Sequence, residues 1–238
     1  MSSSQSIGRK AGWIWAGALV MTLGLGLGFA PAPCAADSPP ATLDGLQLRS
    51  STANGVIYVK PGASFRKYDK IAILDCFVQF DQNWQSNYNS GQVDPSAMVG
   101  TADMNRIKAQ LAAEFKKVFT RELQVNGSFQ IVDTAGPDVL VLRPAIINLR
   151  VTAPDIMTPG ISMTVVRSAG SATAYLELWD STTNTLLARA LNAQADPGMG
   201  GMAANSVSNG MAADMILKGW ADKLRTRLDA ARQLPASP

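Results

Sequence analysis

The most constraining stretch is Ala172–Leu191, ATAYLELWDSTTNTLLARAL, because its first half alternates with a period of two. Ala172, Ala174, Leu176 and Leu178 fall on one side of an extended chain; Thr173, Tyr175, Glu177 and Trp179 fall on the other. Asp180–Asn184 supplies short side chains that bond their own backbone in tight turns, and Thr185–Leu191 returns as a second strand. A hairpin with two unlike faces needs a sheet to belong to, so the rest of the chain is read as parts of that sheet or as its cover.

Val56–Lys60 is a short strand stopped by Pro61-Gly62. Lys70–Phe80 (KIAILDCFVQF) is the strongest strand signal and reads as one continuous strand. Its apolar face, Ala72, Leu74, Cys76, Val78 and Phe80, is expected to point at the core. Thr101–Val125 reads as the main helix, with Met104, Ile107, Leu111, Phe115, Val118 and Leu123 as the apolar stripe. Thr101 or Asp103 caps its start, and Asn126-Gly127 closes it. Ser128–Val132 and Val139–Val151 follow as strands, with Pro144 marking an edge or a bulge. Ile161–Val166 reads as another strand. A last helix starts near Asn205 or Ser206 and carries Met211, Leu217, Ala221, Leu224 and Leu228 on one side. Met199, Met202, Met211 and Met215 are expected to fill the core rather than to hold a metal or meet a membrane.

This order predicts an α+β fold: a mixed, mainly antiparallel sheet with two helices packed on one face. Too few helical crossovers exist for a doubly wound parallel sheet. The expected organisation is a signal peptide over 1–36, a flexible polar lead-in over 37–55, one α+β domain over 56–232 and a disordered tail over 233–238.

The signal peptide rests on Arg9 and Lys10 ahead of the uncharged run Trp13–Ala30 and the small residues that follow. Two fates stay open. Cys34-Ala35-Ala36 suits a soluble-export cut before Asp37, whereas lipidation at Cys34 would tether the chain to a membrane. Pro31 and Pro33 fit the lipoprotein site poorly, because proline removes a donor and fixes φ. Export takes Arg9 and Lys10 away, so of 21 basic residues against 18 acidic ones a net charge of +1 remains, with no electrostatic case for nucleic acid.

The chain has no histidine, which removes Ser-His-Asp and Cys-His catalysis and the usual zinc and haem ligand sets. Cys76 reads as a buried, inert thiol inside its strand. Asp69, Asp75, Glu177 and Asp180 are candidate carboxylates, but nothing in the sequence pairs them, and Asp180 is explained by its turn. No catalytic residue, cofactor site or metal site is expected. Asp81–Gly100 reads as a long polar loop whose aromatics, Trp84 and Tyr88, either pin it to the body or stack on a ligand.

Four segments in order, Tyr58–Asp75 (YVKPGASFRKYDKIAILD), Ile107–Leu123, Pro137–Leu149 and Ala172–Ala190, resemble the bacterial envelope proteins called domain of unknown function 3313. The resemblance implies an envelope location and offers no catalytic residues to carry over. Together these features favour a non-catalytic exported envelope protein, periplasmic or lipid-tethered, that binds an envelope protein partner or helps to assemble an envelope structure. Concentrated aromatics or an apolar patch on the folded sheet would support that. The alternative is small-ligand or glycan binding with the 81–100 loop as lid, which a concave apolar pocket beneath that loop would mark.

Overall fold

The computed structural model describes residues 38–152, 154, 164–166, 170–195, 202–204 and 206–233. The signal peptide, Cys34, Met199 and the tail beyond 233 lie outside the described residues. The chain divides into two units, Met1–Ser38 and Pro39–Pro238, and the second is described here. Its strands are β1 Thr42–Leu43, β2 Leu46–Thr52, β3 Gly55–Val59, β4 Lys70–Ile73, β5 Phe77–Phe80, β6 Gln130–Ile131, β7 Val139–Val151, β8 Thr164–Val166, β9 Gly170–Asp180, β10 Leu186–Ala195 and β11 Met202–Ala204. Its helices are α1 Trp84–Ser90, α2 Thr101–Leu123 and α3 Ser206–Gln233.

Nine strands form one sheet in the order β1-β2-β3-β10-β9-β7-β4-β6, with β5 also on β7. The contacts of β4 with β6 and β7, and of β5 with β7, are parallel; the other pairings in this sheet are antiparallel. The α+β expectation, a mixed and mainly antiparallel sheet with helices on one face, therefore stands. β8 and β11 make a separate two-stranded pair. The hairpin β9–β10 sits at the centre, where β9 pairs with β7 on its other side.

Lys70–Phe80 is not one strand but two, and the break reverses its faces. Ile71 and Ile73 are buried in β4, whereas Val78 and Phe80 are buried in β5. Leu74, expected in the core, is 42% exposed. Pro144 explains the interruption. The Leu74 N–H reaches Leu142 O at 3.0 Å. In a parallel ladder the next bond would need an N–H at position 144, which proline lacks. β4 ends there, and β5 resumes with Phe77 opposite Ala145. Pro144 thus sits in a central strand, with the irregularity passed to its neighbour. Cys76 lies in the break rather than inside a strand.

The lead-in read into Asp37–Gly55 is also revised, since β1 and β2 occupy much of it. β2 pairs with β3 and buries Leu46. The polar Ser and Thr residues of β2 lie mainly at its exposed end.

α2 starts where Asp103 Oδ2 accepts from the Gly100 N–H at 3.0 Å. Left-handed Asn126 (φ 58°) and Gly127 (φ 69°) follow its end. Its C-terminal half is the centre of the core, with Phe115, Val118, Phe119 and Leu123 inaccessible to water and the two phenyl rings stacked at 3.8 Å. α3 buries Leu217, Trp220, Ala221 and Leu228 beside it. The helices are tied by Arg121 on Asp214 at 3.4 Å, and Arg232 donates to Ser128 O at 2.7 Å. Met211 and Met215, expected to fill the core, are about half exposed at 52% and 51%.

Candidate binding surfaces: a charged aromatic sheet face and an apolar cleft

The strand alternation that sends Ala174, Leu176 and Leu178 under the helices sends Tyr175, Glu177 and Trp179 to the opposite face. Cross-strand register builds rows on that face. One row is Arg143, Glu177, Arg189 and Tyr58 across β7, β9, β10 and β3. Glu177 is only 6% exposed. It accepts from Tyr175 Oη (2.7 Å), Trp179 Nε1 (3.1 Å), and Arg189 Nε (3.0 Å) and Nη2 (2.9 Å). Burial alone would raise its pKa, but these donors outweigh it and hold the carboxyl below its ordinary value. The Tyr175 phenol is pushed up to about 12 by burial and by the carboxylate it donates to.

The same face is partly roofed by the turn before β2. Tyr58 donates to Pro40 O at 3.1 Å, and Asp44 accepts from Arg189 Nη1 at 2.6 Å. Beyond this roof runs a second row, Phe77, Ala145, Tyr175, Leu191 and Val56. It crosses five strands, about 19 Å at the usual strand spacing. Phe77 is 62% exposed, and the other four are half-buried. Arg143 lies 5.0 Å over the Trp179 ring at the edge of this surface.

Another buried carboxylate, Asp180, is a lock for the hairpin turn. Its Oδ1 accepts from the N–H groups of Thr182 and Thr183, and its Oδ2 from Lys67 Nζ (2.8 Å) and Tyr68 Oη (2.6 Å). Burial opposes ionisation, but the donors prevail and its pKa is strongly lowered. The turn expected for Asp180 is present, and it also pins the segment before β4. Both oxygens of Glu177 and of Asp180 are hydrogen-bonded, and neither residue lines the cleft described below. Asp69 directly precedes β4, where its carbonyl accepts from the Gln130 N–H, and Asp75 lies in the break between β4 and β5. Among the described residues no three His, Cys, Asp or Glu side chains gather as a metal site, and no helix is long and apolar enough to cross a membrane.

Asp81–Gly100 is structured. It holds α1 and a short 3-10 turn at Pro95–Ala97. Trp84 is buried, stacked between Phe80 (4.4 Å) and Tyr88 (5.6 Å), with Nε1 donating to Val151 O at 3.0 Å. Tyr88 is half-buried against the same cluster. The two aromatics therefore pin the segment to the body. Cys76 is half-buried, and burial pushes its thiol up to about 12 against a backbone hydrogen bond from Ile146.

On the helix side, a cleft of about 350 Å³ opens between α2, α3 and one end of β7 and β9. Ile107, Leu111, Ile146, Leu149, Ile216 and Trp220 supply its apolar wall, and no residue of 81–100 lines it. Two backbone irregularities shape it. Asn148, at φ 53°, marks the bulge in β7 that returns Leu149 to the helix side. Gly170 at φ 144° lies so close to β7 that a Cβ would stand 1.9 Å from Arg150 O. The bulge and the tight approach of Gly170 have no period-two signature, so the sequence pattern missed the cleft.

The model of a family described as a protein of unknown function, DUF3313, matches residues 37–224. No curated protein matches the chain. Solved structures with similarity include the PelC dodecamer from Paraburkholderia phytofirmans, at 11% identity and TM-score 0.34 over 76% of this chain and 99% of that one. The hypothetical protein CT253 from Chlamydia trachomatis matches at 10% identity and TM-score 0.36, over 67% and 98%. Lipoprotein GNA1162 from Neisseria meningitidis matches at 14% identity and TM-score 0.21, over 66% and 99%. At these scores none of them carries a functional argument.

Proposed function

This chain belongs to the DUF3313 family, and from that premise we propose that it is a non-catalytic exported envelope protein that binds a protein partner through the helix-free face of its sheet. The observation that carries this reading is the row Phe77–Ala145–Tyr175–Leu191–Val56, an aromatic and aliphatic strip left partly in water beside Arg143 and Trp179. Exposed apolar strips of this kind mark interaction sites, and Tyr, Trp and Arg dominate their energetics. The Glu177–Arg189 network gives the strip a rigid, fully bonded base. Its carboxylate takes four hydrogen bonds, three on Oε1 and one on Oε2, and is occupied in structure rather than in acid–base work.

Export rests on the basic, then apolar, then small-residue N-terminus, with Cys34 as either the lipid anchor or part of the excised leader. A glycan lid made from Trp84 and Tyr88 gains no support, because both rings are spent on the core. The test is the intact mass of the protein recovered from membrane and periplasmic fractions. A chain starting at Asp37, or at Cys34 with added acyl mass, supports the envelope assignment. A full-length chain confined to the cytoplasm overturns it.

A further inference from the structure

A second pocket, of about 80 Å³, lies between the C-terminal half of α3 and the part of the sheet formed by β2, β3, β9 and β10. The sequence makes this hollow by withholding side chains. Gly55 and Ala174 flank Asn192 in one cross-strand row, and Ala190 separates Ile57 from Leu176 in the next. Both rows lie on the helix side, so the pocket and the partner face are on opposite sides of the sheet. Ser50 and Thr52 pair with Ile57 and Gly55, which puts them about 7 Å apart on one wall. Lys223 and Arg227, one helical turn apart, line the pocket from α3.

The charge here is one-sided. No Asp or Glu is among the residues that line the pocket. The carboxylates of this half of α3 are engaged elsewhere. Asp222 pairs with Arg225, and Asp229 with Arg225 at 3.7 Å and Arg232 at 3.6 Å. Among the described residues neither Lys223 nor Arg227 has an ion pair or a hydrogen bond. Two like charges one turn apart repel, and hydrocarbon walls such as Ile57 and Leu224 strengthen their field. An anion placed between them turns that repulsion into attraction.

The hydroxyls differ. Thr52 Oγ1 is spent on Gly55 O at 3.1 Å, whereas the Ser50 hydroxyl has no partner among the described residues. The available donors are therefore a guanidinium fork, an ammonium and a hydroxyl. Donors converging from both walls suit the several oxygens of a tetrahedral phosphate better than the two coplanar ones of a carboxylate. The volume is that of two or three waters at about 30 Å³ each, enough for this group and little more. Whatever carries the phosphate stays outside.

We propose that this pocket binds a phosphate group, held by Lys223 and Arg227 from α3 and by the Ser50 hydroxyl from β2. The probe is inorganic phosphate titrated into the folded full chain at constant ionic strength, read by amide and indole N–H chemical shifts. Saturable shifts are expected at Ser50, Leu224 and the Trp220 indole, the last assigned by its loss in Trp220→Phe. Lys223→Gln/Arg227→Gln should weaken binding at least tenfold with an unchanged circular dichroism spectrum, and Ser50→Ala by about fivefold. Lys116→Gln/Lys218→Gln removes the same charge away from the pocket and should leave binding within twofold.

Acetate should bind at least tenfold more weakly than phosphate. Tighter binding of monomeric dihexanoyl phosphatidate than of inorganic phosphate would identify a membrane lipid as the source; the reverse would identify soluble phosphate. Linear, unsaturable shifts, or equal losses in the two double variants, would overturn the site. Acetate binding as tightly as phosphate would overturn the ligand. None of these outcomes depends on the partner face.

Discussion

The two faces of one sheet are built on different terms. On the helix side, Ile71, Leu140, Leu142, Ile146, Leu176 and Leu178 belong to one core with Phe115, Val118 and Phe119, and burial of hydrocarbon is the main source of stability. On the other side, the same strands place Arg143, Glu177 and Arg189 among Tyr58, Tyr175 and Trp179. There, charges are held by directed hydrogen bonds, and aromatic rings cover them. The first face tolerates any well-packed volume; the second works only as a set, because each partner removed strands another. A face built for stability alone has little use for an exposed Phe77 beside that set.

The comparison can be attacked first where the effect is largest. Phe119→Ala opens a hole under α2 and should cost about 3–5 kcal/mol in urea titration. A loss below about 1 kcal/mol would mean the helix-side core is not the main source of stability. Glu177→Ala should cost about 3 kcal/mol, since Arg189, with its side chain 11% exposed, is left with the more exposed Asp44 as its one carboxylate partner and Tyr175 and Trp179 lose their acceptor. Glu177→Leu with Arg189→Met should recover much of that cost. If the pair is as damaged as the single variant, the network is not acting as a coupled set.

Asp180 sharpens the comparison through pH. Its folded pKa is lowered, so its contribution is present above the unfolded carboxylate range, about pH 4, and drains away as pH falls below it. Asp180→Asn should lower stability by about 2 kcal/mol at neutral pH and flatten the acid limb of the urea midpoint against pH. An acid limb unchanged in the variant would assign that pH dependence to other carboxylates, Glu177 first among them.

Much of the helix side was legible in the sequence because its signals are periodic. The alternation of Ala172–Trp179 gave both faces of β9, and the stripe in Thr101–Val125 gave α2 with its closing Asn126-Gly127. It failed where a single residue breaks the period. Pro144 interrupts the neighbouring strand rather than its own, so the two halves of Lys70–Phe80 bury opposite parities. β2 carries polar residues because it lies beside the exposed sheet end, which composition reads as linker. The partner face was half visible. Tyr175, Glu177 and Trp179 fall together by period, but Arg189, Asp44 and Phe77 join them only through register across distant strands.

The smallest change in stability carries the most direct test of the central claim. Phe77→Arg alters a side chain already mostly in water, so the unfolding free energy should stay within about 0.5 kcal/mol of wild type. In native extracts of the envelope fraction, wild type should migrate in an assembly larger than the monomer, and Phe77→Arg should release it. An assembly that survives Phe77→Arg, or a wild-type chain that migrates alone, would contradict the partner face.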